Sequence, residues 1–357
     1  MREKPKKRNS SVAVKDEEPS VVSKKTKVSL NEALVLSHPN SDQLQERISM
    51  INQGFLFKCP LDFLQFYEFC QACSTDSPLD ALSEIGFRLV GPYEIYHMGS
   101  KDQVTKGQWS NYYRFYHDPP EFVTVIICSN EQYHVGYFRD SYESTPFVAK
   151  STASNGIIEY CGQNLFTFLR SVLQKNKSCH ASQLMKNLNE FTANKNIKTN
   201  VLSSFMKDRK KLQVCATTNR IGLMIDVTKD DIGYRPLNIT YSELNSKLQD
   251  IVDSKSKEEQ LIKFAPIDEL ITCVQFANDE GDYGQGLELG LSILAFHPKA
   301  QPLEKASIFN NKIKHLLSVG YNLANRKEFS QVIQSHMEDR RVEPLTFLAR
   351  ECIVQFE

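Results

Sequence analysis

Between residues 87 and 162 aromatic and β-branched residues gather into short runs: FRLVGPYEIY, YYRFYHD, FVTVIIC, YHVGYFRD and IIEYCG. Turn chemistry separates them, including Asp118-Pro119-Pro120 and Ser129-Asn130. Spacing this close favours antiparallel pairing, because parallel neighbours need a long crossover between them. Beyond about residue 240 the pattern changes to helical spacing. Ile267, Leu270, Ile271 and Val274 fall on one face of a helix that Pro266 would open at its first position. A second helix over roughly 285–296 turns Leu287, Leu291 and Leu294 inward and stops before Pro298. Further helices are expected over about 303–325, 328–338 and 344–355. Two more flank the strand block, PLDFLQFYEFCQAC (60–73) and QNLFTFLRSVLQ (163–174).

The expectation is an α+β protein. An N-terminal α+β domain with a largely antiparallel sheet covers residues 41–175. A mostly helical C-terminal domain covers 176–357, its first part (176–220) polar and Lys/Asn-rich with helical pieces. Residues 1–40 read as a disordered basic tail, too charged and too poor in aromatics to bury a core. A chain of 357 residues is long enough for two such domains.

Formal charge is zero but unevenly spread. Residues 1–27 carry nine Lys or Arg against four acids, which leaves an acidic body behind a basic tail. Lys4-Pro5-Lys6-Lys7-Arg8 and Lys24-Lys25-Thr26-Lys27 fit a bipartite nuclear import signal; phosphate contact and a plain solvated tail are the other readings. Nine cysteines without framework spacing point to reduced intracellular thiols. The lone pair Cys70 and Cys73 lacks a second pair, so both read as helix positions. No apolar run reaches the roughly 20 residues of a membrane span, and the N-terminus has no apolar signal core.

One stretch stands apart. FANDEGDYGQGLELG, residues 276–290, holds four acids and four glycines. An EF-hand loop starting at Asn278 would need Gly at Tyr283 and Glu at Leu289, so calcium does not fit. A dinucleotide loop fails too, since Gly284-Gln285-Gly286 is followed by Gly290 and preceded by a helix. A solvated helix–helix turn accounts for the composition, with Gly closing one helix and acids opening the next. Phe276 argues against that reading alone. It lies nine residues beyond Ile267, on the side opposite the apolar stripe, where an exposed Phe suits an interface. Elsewhere His117, Asp118 and His134 read as hydrogen-bonded structural groups. No Gly-x-Ser-x-Gly elbow or His-Glu-x-x-His pair occurs, and no Ser or Cys sits in a nucleophile setting.

LVGPYEI (89–95), YRFYHDPPEF (113–122), YHVGYFRDS (133–141), DIGYRPL (231–237) and FAPIDELITCVQFANDEGDYGQGLELG (264–290) together resemble the histone PARylation factor family. The resemblance runs from about residue 60 to the C-terminal helices. It implies a protein that is not an enzyme on its own. Family members bind the catalytic domain of DNA-damage-activated poly(ADP-ribose) polymerases and complete a joint active site with it. The polymerase holds NAD, and this chain would bind no cofactor or metal itself. Serines, chiefly on histones, become the acceptors. On this sequence the resemblance makes Glu280 the base, and Asp279, Phe276, Tyr234 and Arg235 the polymerase contacts. Gly281 departs from the vertebrate pattern, which has Cys there. The nucleus, at damaged chromatin, is the implied location; direct nucleic-acid contact is not expected beyond the basic tail. Two other readings stay open: a non-catalytic nuclear scaffold docking histone tails, and a metal-dependent hydrolase using Asp279, Glu280 and Asp282.

Overall fold

The computed structural model describes residues 41–98, 109–129, 133–200 and 204–346. Helices α1 (Ser41–Gly54) and α2 (Leu61–Cys73) open it. Pro60 sits in extended geometry just before α2, where its missing N–H costs nothing. From α2, Phe63, Leu64, Phe66, Tyr67, Phe69 and Cys70 are all buried. The CxxC is therefore helix packing: Cys70 lies in the core and both thiols are free.

Five strands follow: β1 (Phe87–Leu89), β2 (Phe122–Cys128), β3 (Tyr133–Phe138), β4 (Phe147–Thr152) and β5 (Ile158–Gly162). They form one antiparallel sheet in the order β1-β2-β3-β4-β5. The α+β expectation and the antiparallel pairing hold. Gly136 in β3 shows how tight the sheet is, since a Cβ there would lie 2.1 Å from the Val123 carbonyl oxygen.

One expected strand is cut short and another does not form. FRLVGPYEIY pairs only over β1, then Gly91 (φ +60°) and Pro92 turn the chain into helix α3 (Pro92–Met98). Glu94 caps that helix by accepting the Gly91 N–H at 3.1 Å. YYRFYHD satisfies its polar groups locally instead of in a ladder. Asp118 accepts the Phe115 N–H at 3.0 Å, and Arg114 donates to the Ser110 and Pro119 carbonyls at 2.7 and 2.8 Å.

Helices α4 (Leu165–Lys175) and α5 (Cys179–Asn194) cover one sheet face. Asn164 and Ser178 cap them through side-chain oxygens. Ala181, Leu184 and Leu188 of α5 join the same core as α2, α4 and the sheet. Helix α6 (Phe205–Leu212) lies toward the other face, where Phe205 meets Phe147 and Tyr160.

The remaining described helices are α7 (Tyr241–Val252), α8 (Lys257–Asp279), α9 (Gly284–Leu294), α10 (Asn310–Leu323) and α11 (Lys327–Glu338). They enclose a second apolar core around Leu248, Ile267, Leu287, Leu317 and Ile333. Pro266 does not open α8. Ser256 does, accepting the Glu259 N–H at 3.1 Å, and Pro266 lies inside the helix. The span 303–325 splits into a 3₁₀ segment (Leu303–Phe309) and α10. Residues 344–346 are not helical, and the rest of the expected last helix lies outside the described residues, as does the basic tail.

Buried polar contacts join the sheet region to the helices. Tyr321 donates to Glu121 at 2.8 Å. Arg340 reaches the Tyr116 and Leu294 carbonyls at 2.9 and 3.0 Å and Asn310 at 3.0 Å. His117 donates from Nδ1 to the Leu294 carbonyl at 3.0 Å. That joint clamps the far end of α9, whose near end carries the acidic loop.

Candidate functional site

The stretch 276–290 is the hinge between α8 and α9, and its glycines follow from that. Helix α8 ends with Glu280 in the cap position. The Gly281 N–H donates to Asn278 O at 3.0 Å and the Asp282 N–H to Ala277 O at 2.7 Å. This pair of back-bonds is the Schellman closure, which needs a left-handed residue between them. Gly281 supplies it with φ +91°.

Gly284 serves a different purpose. Its N–H donates to Gly233 O at 2.9 Å, and a Cβ at 284 would stand 2.8 Å from that oxygen. A strap, residues 233–236, thus lies directly on the first turn of α9. Gln285 Nε2 donates to Pro236 O at 3.0 Å. The Tyr234 and Tyr241 hydroxyls both donate to the buried Glu288 carboxylate, at 3.0 and 2.8 Å. Burial first, then the nearby Cys215 and Glu288, pushes the Tyr234 phenol above its ordinary value.

The strap carries Arg235 across to the loop. Its guanidinium pairs with Glu280, and the same Nη2 sits 3.0 Å from Asp282 Oδ2. These contacts raise the Arg235 pKa, the hydrogen bond to Glu280 foremost. Glu280 and Asp279 stand at the negative end of α8, where the helix dipole disfavours acids. Arg235 offsets that local charge. The Glu280 side chain nevertheless remains 59% exposed, against 11% for Asp282.

Phe276 is 63% exposed one turn before Glu280, with Asp279 exposed and Ile232 44% exposed. Glu280, Asp279, Phe276 and Arg235 thus gather on one open surface. Tyr234 lies half-buried at its base. Sequence spacing placed Asp282 only in the hydrolase reading. It missed Gln285 and Glu288, which meet the strap across about fifty residues, and Tyr241, which shares Glu288 with Tyr234.

Among the described residues no three His, Cys, Asp or Glu side chains converge as a metal site. Of the three acids in the hydrolase reading, Glu280 and Asp282 meet on one nitrogen of Arg235, so a cation of the chain itself stands between them. His117 and His134 do structural work. His134 donates from Nε2 to Asp118 at 2.9 Å, stacked on Phe115. No described helix is long and apolar enough to cross a membrane.

Comparison with known proteins points in one direction. The family model described as Histone PARylation factor 1 matches residues 45–340. A Mus musculus protein named Histone PARylation factor 1 is 38% identical over 306 residues, covering 81% of this chain and 86% of its own length. Its Bos taurus counterpart is 37% identical, over 84% of this chain and 88% of its own. The Danio rerio protein of that name is 31% identical, over 86% and 89%.

Proposed function

The chain belongs to the histone PARylation factor family, and from that we propose that it works as the partner of a poly(ADP-ribose) polymerase in histone modification. It docks on the polymerase catalytic domain through Phe276, Asp279, Tyr234 and Arg235. Glu280 then enters the joint site as the base. A serine oxygen bonds to the anomeric carbon of the ADP-ribosyl group, the bond to nicotinamide breaks, and the serine proton passes to the Glu280 carboxylate. The polymerase holds NAD throughout. Bound there, NAD supplies the ADP-ribosyl group and the leaving group.

One observation supports this above the others. An exposed carboxylate stands at the negative end of a helix, beside an exposed Phe and within reach of a cation that can exchange partners. A solvated turn needs no such grouping. Serine is a weak nucleophile until its proton is taken, and a positioned carboxylate contributes about 10²–10⁴ in rate.

The test is a reconstituted reaction of polymerase, NAD, nicked DNA and a histone peptide. Glu280→Gln keeps size and docking but removes the anionic acceptor. Serine modification should fall by roughly 10²–10⁴ while polymerase pull-down persists. The scaffold reading draws support from the Arg235–Glu280 pair, which would also suit a docking surface. It predicts normal serine modification by Glu280→Gln, and that result would replace the catalytic reading.

The place of action we assign to nuclear chromatin at DNA damage, on the two basic clusters of the tail. Alanine at Lys6, Lys7, Arg8, Lys24 and Lys25 should move a tagged chain toward the cytoplasm. Undiminished nuclear accumulation would remove that assignment.

A further inference from the structure

We infer that Asp282 is a positioning residue that keeps Glu280 available, an assignment resting on Glu280 being the base. Of the three acids between residues 279 and 282, Asp282 is the buried one. Its Oδ1 accepts the Gly233 N–H at 3.0 Å, and its Oδ2 takes Arg235 Nη2 at 3.0 Å. Its own N–H is fixed on Ala277 O. The carboxylate is therefore held in place beside Arg235.

Glu280 is the opposite kind of partner. It meets the same Nη2 of Arg235 from an exposed position. One guanidinium nitrogen is thus divided between a fixed acid and a free one. The strap bearing Arg235 cannot move off, because Gly284, Gln285 and Glu288 hold residues 233, 236 and 234 in register. Asp282 gives the arginine a second anion, so Glu280 can leave without stranding a cation. Remove the Asp282 charge and Arg235 has Glu280 alone; the base is then occupied by its own neighbour. A second acid two residues from a catalytic one, buried where the other is exposed, has this use.

Asp282→Asn tests it in the complete reaction. Asn keeps the size and retains an oxygen for the Gly233 N–H, so the strap stays seated. Rates are expressed per polymerase-bound complex, which removes any unfolded fraction. We expect kcat for serine modification to fall about 10- to 100-fold, as for a reacting group held slightly out of place. The peptide KM and the half-saturating amount of this protein should move by less than about threefold, because the docking side chains themselves are unaltered and Arg235 stays on its seated strap. Asp282→Glu, which restores the charge, should recover part of the lost kcat. A normal kcat for Asp282→Asn, with Glu280→Gln inactive, overturns the assignment and leaves Glu280 as base. So does a loss confined to binding and melting temperature, or an Asp282→Glu chain no better than Asp282→Asn. A fully active Glu280→Gln removes the base and this inference together.

Discussion

Arg139 is 2% exposed, with the rings of Phe57, Tyr142 and Phe329 at 5.1–5.8 Å, whereas Arg235 lies in the open against Glu280 and Asp282. Burial pulls the Arg139 guanidinium down to about 9, and nearby Arg114 adds to the fall. The Arg235 contacts act the other way. The same division separates the joint near Leu294 from the loop near Glu280, at opposite ends of α9. In the joint, Arg340 and His117 donate to backbone carbonyls within the fold, and Arg340 also to the Asn310 side chain. At the loop, charged groups meet one another at the surface, where partners can be exchanged. Perturbed ionisation of this kind goes with burial. The group proposed to do chemistry is marked by exposure and placement.

Paired truncations should separate the two ends. Arg340→Ala removes three hydrogen bonds from a cation that burial has already pulled down to about 10. A loss of roughly 3 kcal/mol or more is expected, since charge-assisted bonds to buried acceptors contribute about 1.5–3 each. The melting temperature should drop by about 6–12 °C. Arg235→Ala should leave melting nearly unchanged and weaken polymerase binding at least about tenfold, as few residues dominate an interface. Thermal denaturation and a titration on the same two proteins check both. If Arg235→Ala unfolds the chain while Arg340→Ala does not, the division between the ends is wrong.

Much of the sheet and its flanking helices can be read from pattern alone. FVTVIIC, YHVGYFRD and IIEYCG carry β-branched and aromatic residues in runs, and all three are strands. FVAKST escapes because Lys150, Ser151 and Thr152 blur its alternation, although β4 is paired on both sides. PYEIYHM misleads in the other direction: its residues favour strands, but Glu94 caps a helix there and the sheet already has its edge at β1. Pro266 misleads because the true start, Ser256, sits in polar sequence with no apolar stripe to announce it. At the site, helix arithmetic on Phe276 anticipates its exposure correctly. The meeting of Arg235 with Glu280 is invisible to periodicity, since 45 residues separate them. Resemblance named both residues but not their contact, which the fold supplies along with that of Asp282 and Gly233.

The joint should also reveal itself through pH, by a smaller effect than truncation. Burial first of all, with Arg340 and His297 adding, pushes His117 down to about 4, against the hydrogen bond to Leu294. An unfolded histidine titrates near 6.5. Between those values the unfolded chain binds the proton and the folded chain does not. The contribution of His117 is therefore complete above about pH 6.5 and is lost as pH falls toward 4, at about 1.4 kcal/mol per pH unit. Total stability will not show this cleanly. Buried Asp62, raised to about 6 by desolvation, contributes in the opposite sense over much of the same window, and buried His336, pushed down by burial, in the same sense as His117. His117→Gln isolates the term. It retains an N–H for the Leu294 carbonyl and loses the titration, so packing losses enter as a constant offset. Urea unfolding of both proteins at half-unit steps should give curves that converge as pH falls from 6.5 to 4. Parallel curves would mean that His117 is protonated in the fold over this range, and would remove its contribution to the pH dependence.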